Sequence, residues 1–367
     1  MRPMRPSSRL GLLVPSLLIL AAALALWNSR RARFEHRQVE RANEVPMLLQ
    51  STRKADMQLT YSALSTVEGM VGTRPMNATA RLVKAPRKLS VTYLSGDARG
   101  VQSGFNERWF WRQTGHEPME AYASVEYRPD EMASKRFKLL MHNYRGELLR
   151  SESVDGRDSD VVELRPIKVL EGATGPFKRL WIDRQTALTL RVDAFNYKSQ
   201  PTMRTVLSKV DFTPQIEAST FVPPAKMFAL AAVKPWRAEE LGDHRAKAAQ
   251  QARVLPPQPR FLPPGFAFDS VGVHRCDIPG SPSLAALSRY TDGMNVMTIF
   301  AMKRAPGAAQ SNGKQGQSCD FGPGAMAMRE MPQGTLIAVA DLPPAILRRV
   351  LESTEVKPFA ANGSAPR

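Results

Sequence analysis

Short runs in which apolar and polar residues alternate recur along most of the chain, separated by turn residues. In the first part of the chain these runs are Gln58 to Ser65, Asn77 to Val83, Lys88 to Leu94, Arg108 to Arg112, Leu148 to Val154, Asp160 to Leu164, Arg179 to Asp183, Thr189 to Asn196 and Arg204 to Phe212. Alternation with a period of two is typical of strands that bury one face. The Asp155-Gly156 turn indicates a hairpin, and helix-compatible spacing over Val45 to Ala55 precedes the series. We therefore predict an α+β fold built on a strongly curved antiparallel sheet, a half-barrel, with helical cover on its concave face.

A second, smaller series follows a proline-rich connection. We expect its strands at Phe266 to His274, Ser288 to Tyr290, Val296 to Met302, Ala325 to Met331 and Thr335 to Ala340, and a helix from Pro343 to about Ser353. Ala238 to Arg253, between the two series, is predicted to be a helix that is either a semi-rigid spacer or docked on one domain. The predicted boundaries are therefore 44–220 for the first domain, 221–259 for the linker, 260–357 for a smaller α+β domain and 358–367 for a disordered tail.

The N-terminal segment has the features of an export signal. Leu10 to Trp27 is apolar apart from Ser16 and follows a short basic leader. Ala23-Leu24-Ala25 offers a cleavage site, yet the apolar span is also long enough to cross a bilayer of about 30 Å. The arginines that follow would by themselves favour a cytoplasmic body, but a β-rich body with two cysteines favours export. We predict that residues 1–43 form a signal peptide or a membrane anchor with a basic stalk.

The chain is strongly basic, because 51 Lys and Arg residues face 34 Asp and Glu residues, a formal net charge of +17. Such a polycation is attracted to anionic lipid headgroups, acidic protein segments or nucleic acid. Nucleic acid ranks last, because no zinc-finger spacing or RNA-stacking signature accompanies the charge. We expect no nucleic-acid partner, while an anionic membrane surface stays open.

Neither the cysteines nor the sequence motifs indicate a metal site or an enzyme active site. Cys276 and Cys319 lack the spacing and the histidines of a metal site, so they form either one disulfide or two separate buried thiols. The sequence also lacks G-x-S-x-G, H-E-x-x-H, a Walker loop and G-x-G-x-x-G. We therefore predict a protein that is not an enzyme and that uses no metal and no cofactor.

Trp109 and Trp111 would share one face of a strand, with Phe110 on the other. That arrangement suits either an aromatic binding surface or ordinary core packing. If the concave face of the sheet binds a ligand, Trp109, Trp111 and Trp181 are its candidate contacts.

Three motifs near the C-terminus carry a family resemblance. They are Phe261-Leu262-Pro263-Pro264-Gly265-Phe266, Tyr290-Thr291-Asp292-Gly293-Met294 and Ala340-Asp341-Leu342-Pro343-Pro344. Taken singly, each is explained by turn and helix-cap chemistry. In this order they resemble the C-terminal domain of the MucB/RseB family, envelope proteins that hold an anti-sigma factor in its inhibitory state. Leu180-Trp181-Ile182-Asp183 and Leu190-Arg191-Val192-Asp193 are similar to that family's N-terminal domain, and Val83 to Leu89 is similar to the lipoprotein-carrier (LolA-like) half-barrels.

The resemblance implies a function outside the cytoplasm. It implies a periplasmic regulator that binds the periplasmic part of an anti-sigma factor, controls sigma-factor stress signalling and responds to a lipid or lipoprotein ligand in its N-terminal concavity. The alternative it allows is a periplasmic carrier of lipids or lipoproteins.

Overall fold

A computed structural model describes residues 44–71, 74–106, 109–113, 120–123, 129–174, 177–222, 241–278, 281–303, 317–321 and 324–359. The predicted signal or anchor, most of the predicted linker before residue 241 and nearly all of the predicted tail lie outside these residues. Among the residues described, no helix has the length and apolar character needed to cross a membrane.

The first and larger sheet has eleven strands, all paired antiparallel. They are β1 (Tyr61–Val71), β2 (Arg74–Ala85), β3 (Lys88–Tyr93), β4 (Gln102–Phe105), β5 (Trp109–Gln113), β6 (Glu120–Ala123), β7 (Tyr144–Val154), β8 (Arg157–Pro166), β9 (Phe177–Asp183), β10 (Thr189–Phe195) and β11 (Pro201–Asp211). The order across the sheet is β6-β5-β4-β3-β2-β1-β11-β10-β9-β8-β7. The sheet is therefore open, with β6 and β7 at its edges.

The helices of this part are α1, which covers residues 44–58, α2 (Pro129–Asn143) and a short 3-10 turn at Ala218–Phe221. The predicted hairpin at Asp155-Gly156 is confirmed, because Val154 pairs with Arg157. Both turn residues have positive φ, 51° and 76°, as a tight two-residue turn requires. The sequence patterns did not predict β4, β6 or α2.

The second sheet has six antiparallel strands. They are β12 (Ala267–Ile278), β13 (Ser281–Thr291), β14 (Val296–Lys303), β15 (Gln317–Phe321), β16 (Gly324–Met331) and β17 (Gly334–Ala340), in the order β12-β13-β14-β17-β16-β15. Two helices, α3 (Leu241–Ala252) and α4 (Pro344–Glu352), complete it. The prediction of a large and a smaller antiparallel sheet with few helices is thus confirmed, whereas the strong curvature stays a prediction.

Alanines with no exposed surface allow the helices to lie close to the second sheet. The α4 side chains Leu347, Val350 and Leu351 fall at the i, i+3, i+4 spacing of one helix face and are fully buried. On the sheet they meet a core that includes Ala327, Leu336 and Ala338. Helix α3, which the sequence placed in the linker, packs against β12 and β13. Pro358, placed in the predicted tail, forms a β-bridge with Val254 at the end of that helix.

Candidate functional site: the inter-sheet interface

The two sheets meet at an interface that begins at helix α2. The Arg136 guanidinium donates two hydrogen bonds to the Asp269 carboxylate, Nε to Oδ1 at 3.1 Å and Nη2 to Oδ2 at 2.8 Å. Lys135 beside it donates to the backbone carbonyl of Phe268. Asp269, at the start of β12, is almost completely buried, so this bidentate pair is a specific contact. We call the set of contacts that joins α2, β7 and the β10–β11 turn to the second sheet the inter-sheet interface.

The end of α2 reaches two of the three C-terminal motifs. Asn143 Nδ2 donates to the backbone carbonyl of Gly265 at 2.9 Å and to that of Asp292 at 2.8 Å. Gly293 lies against the same helix, because a Cβ at this position would stand 2.2 Å from the backbone nitrogen of Leu140. Its φ of +100° is also one that side chains rarely adopt. Only glycine allows this turn to contact α2 so closely.

A buried polar cluster around Asp292 forms the centre of the interface. The Tyr144 hydroxyl, from the first residue of β7, donates to Asp292 Oδ2 at 2.7 Å and accepts from Asn295 Nδ2 at 2.9 Å. Asp292 Oδ1 accepts from the backbone amides of Met294 and Asn295. Burial and the neighbouring Asp292 carboxylate raise the pKa of Tyr144 well above its usual range, so its hydroxyl stays protonated and acts as a donor.

The third motif contacts the first sheet at the β10–β11 turn. Asp341 Oδ1 accepts a hydrogen bond of 2.9 Å from the backbone amide of Tyr197. Burial raises the pKa of Asp341 to about 7, although the Tyr197 amide and the Lys178 ammonium act in the opposite direction. Burial also lowers the pKa of Lys178, against the attraction of Asp292 and Asp341. The Asp292 carboxylate therefore acts on the pKa of three neighbours at the interface: Tyr144, Lys178 and Asp341.

Two cavities flank this cluster. The first, of about 120 Å³, is lined by residues of all three motifs and by His142 of α2, Lys168 after β8 and Tyr197 of the β10–β11 turn. The second, of about 170 Å³, has walls of Met and Phe side chains and contains Lys178, Asn295 and Asp341. Its apolar lining consists of Met70, Phe177, Ala194, Phe195, Met203 and Met294. Asn295 lines both cavities, so their occupants would share one polar wall.

Two of the three tryptophans predicted as ligand contacts, Trp111 and Trp181, lie in separate clusters. Trp111 is buried in a small cluster with Phe221, whereas Trp181 belongs to a separate core. The Trp181 indole Nε1 donates to Glu152 at 2.9 Å, and Arg191 stacks on its ring. Trp109 lies in β5, and nothing further is described of its side chain. A shared ligand-binding role for these residues stays a prediction.

The cysteines predicted to form a disulfide lie on different strands of the second sheet. Cys276 lies on β12 and Cys319 on β15, the two opposite edge strands of the second sheet. A disulfide requires Cα atoms within about 7 Å of each other. Nothing further is described of these two side chains, so the bridge stays a prediction. Non-reducing mass spectrometry is the direct test of the predicted bridge.

Sequence reasoning missed the first-sheet half of the interface, in particular Arg136, Asn143 and Tyr144. A signal for α2 existed, because Pro129-Asp130-Glu131 places proline and acidic residues where a helix begins. Within the described part of the chain, no group of three or more His, Cys, Asp or Glu side chains could hold a metal ion. The interface consists of hydrogen bonds, ion pairing and two small cavities.

Comparison with known proteins agrees with the resemblance carried by the motifs. The family model of the MucB/RseB N-terminal domain matches residues 44–225. The structure of MucB in the Pseudomonas aeruginosa MucA/MucB complex aligns with a TM-score of 0.57 at 17% identity, covering 87% of this chain and 100% of that one. A crystal structure of MucB aligns with a TM-score of 0.51 at 16% identity, covering 87% and 98%. No curated protein sequence matches.

The two kinds of comparison carry different conclusions. At this identity the structural matches establish the fold, while the family model assigns residues 44–225. Residues 44–225 therefore belong to the MucB/RseB family, as its N-terminal domain.

Proposed function

We propose that this protein binds the periplasmic part of an anti-sigma factor and thereby controls sigma-factor stress signalling. The observation that carries the proposal is the match of this chain to the whole of MucB in its complex with MucA. In this proposal the chain is exported and either released into the periplasm or held at the inner membrane. It acts by binding and carries out no chemistry of its own.

The surface beside the first cavity suits a peptide partner. Ile167 and Val169 follow β8 and are 55% and 57% exposed, which is unusual for β-branched apolar side chains. Ile167 also lines the cavity that all three motifs surround. A partner that covered these two side chains and entered this cavity would contact both sheets at once.

The charge of the chain would assist this encounter. A net charge of +17 attracts acidic segments over a distance of about 8–10 Å at physiological salt and speeds association. The same charge favours anionic lipid headgroups, so an inner-membrane surface is a second expected contact. We expect both interactions to weaken as ionic strength rises.

A lipid or lipoprotein ligand would act through linkage. A ligand releases the partner only if it binds the partner-free conformation more tightly. The second cavity is a candidate for part of such a ligand, because its methionine and phenylalanine walls are adaptable and apolar. Met70 and Met203, which line it, are about two-fifths exposed and open it to solvent.

The test is a pull-down of the full-length chain with a C-terminal tag from solubilised membranes, followed by mass spectrometry of proteins and lipids. We expect recovery of a single-span anti-sigma protein, and a marked loss of it with Ile167→Asp combined with Val169→Asp. The control is Leu94→Asp, which places the same charge on another exposed apolar residue, remote from the motifs. Failure to recover any such partner, or equal loss with the control, would contradict the proposal.

A lipid or lipoprotein carrier is the second candidate function, favoured by the apolar second cavity. A carrier would be recovered with lipid or lipoprotein and without an anti-sigma partner. It would also transfer a labelled acyl lipid between vesicles, which a regulator need not do.

A further inference from the structure

The inter-sheet interface places several buried ionisable groups between the two sheets. We propose that it is a pH-responsive joint, in which acidification tightens the docking of the second sheet on the first through the Asp341 carboxyl group. The proposal concerns the conformation of the chain itself and does not require the partner or ligand discussed above.

Geometry places Asp341 where its charge opposes docking. The side chain projects from the end of β17 toward the first sheet, where one backbone amide, that of Tyr197, donates to it. Asp292, the other carboxylate of the cluster, accepts from two backbone amides, the Tyr144 hydroxyl and the Asn295 side chain. Asp341 is partly buried, and the Tyr197 amide is the one protein donor described for it. Because such an anion is incompletely solvated, ionised Asp341 is the least stabilised carboxylate of the cluster.

The surrounding groups act on Asp341 in both directions. The Lys178 ammonium from β9 favours the ionised carboxylate, and Asp292 from the β13–β14 turn disfavours it, but burial is the largest effect. No hydrogen bond or ion pair joins Lys178 to either carboxylate among the described residues. Lys198 lies over the Tyr197 ring, while His142 and Lys168 line the first cavity together with Tyr144. These groups are the titratable neighbours that a pH experiment must separate from Asp341.

The sign of the effect follows from linkage. With the sheets docked, burial raises the pKa of Asp341 to about 7, whereas an undocked, hydrated carboxyl has the ordinary value of 3.8. The docked form therefore binds the proton more tightly, so docking is favoured at low pH and weakens as pH rises through about 7. Between pH 7.5 and pH 5.5 these two pKa values give a change of about 20-fold in the docking equilibrium.

Hydrogen–deuterium exchange of the full-length chain measures this equilibrium at the Tyr197 amide, which becomes free when the sheets separate. After correction for the intrinsic pH dependence of exchange, we expect about 20-fold greater protection at pH 5.5 than at pH 7.5. Amides that pair β13 with β14 belong to the second sheet alone and should change by less than about threefold. A wild-type ratio at Tyr197 no larger than that of these internal amides would overturn the proposal.

Two substitutions assign the response. Asp341→Asn removes the titrating group while keeping an acceptor, so protection at Tyr197 should be equal at both pH values and resemble the wild-type value at pH 5.5. Lys178→Met removes the ammonium that favours ionised Asp341, so the transition should move to higher pH. Asp97→Asn, at an exposed carboxylate on the first sheet, should keep the full wild-type response. A pH response that persisted in Asp341→Asn would assign it to another group and refute the proposal.

Discussion

Tyr144→Phe is the substitution that most directly tests the interface. The side chain is buried, and phenylalanine would keep its packing while removing the hydroxyl. That hydroxyl makes two hydrogen bonds across the interface, one of them 2.7 Å long to the Asp292 carboxylate. A hydrogen bond to a charged group contributes about 1.5–3 kcal/mol, and a buried partner left unsatisfied adds to the loss. We expect Tyr144→Phe to lower the free energy of unfolding by about 2–3 kcal/mol.

Urea unfolding followed by tryptophan fluorescence measures this loss. For an m-value of about 3 kcal/mol/M, the midpoint should fall by roughly 0.8 M. The control is Tyr290→Phe, which removes an equally buried hydroxyl whose hydrogen bond of 3.3 Å goes to the carbonyl of Pro257, between α3 and β12, and does not reach the first sheet. We expect the control to cost about 1 kcal/mol or less. If the two substitutions cost the same, the cluster around Asp292 does not hold the sheets together and the reasoning fails.

Three further predictions rest on single contacts. Gly293→Ala should lower the free energy of unfolding by about 3 kcal/mol or more, because the new Cβ would stand 2.2 Å from the backbone of α2. Gly156→Ala has a similarly positive φ but lies in open space, so it should lower the free energy of unfolding by only about 1–2 kcal/mol. Thermal unfolding of the two variants measures the difference. Arg329→Ala removes guanidinium hydrogen bonds to carbonyls at the end of α4 and should cost about 1–2 kcal/mol, seen as faster amide exchange in that helix. Burial by itself would raise the pKa of Asp183, but hydrogen bonds from Arg157 and Thr186 outweigh burial and lower this pKa. The stability that the Arg157–Asp183 pair contributes is therefore lost as pH falls below about 4. Arg157→Met should weaken this acid dependence of stability, measured by circular dichroism.

Alternation along the chain was sufficient to predict most of the strands. It succeeded at β14 and β17, where alternate residues are buried in the core of the second sheet. Burial of one strand face requires an apolar residue at every second position, which gives the sequence a period of two. It failed at β4, β6 and β15, which are four or five residues long and too short to show a period. It also failed at α2, whose polar side chains serve contacts with the second sheet and leave a weak apolar stripe.

The interface itself could not be predicted, because its partners are distant in sequence. Tyr144 and Asp292 are 148 residues apart, and Tyr197 and Asp341 are 144 apart. Local turn or helix-cap chemistry also explains each motif completely, so the sequence of a motif does not indicate that it contacts another sheet. Asp292 shows the two roles together: one carboxylate oxygen closes its own turn, and the other accepts from Tyr144.

The neighbouring residue Asn295 could couple binding in one cavity to binding in the other. Asn295 lines both cavities and donates to Tyr144, so a molecule that displaced it from either side would also disturb the contact between the sheets. Allosteric coupling between sites typically amounts to 1–3 kcal/mol, a change of about 5- to 150-fold in affinity. The hydrogen bonds of Tyr144 alone are worth about as much. If a ligand and a partner bind as proposed, a ligand that broke only these contacts would alter the affinity of a partner that contacts both sheets.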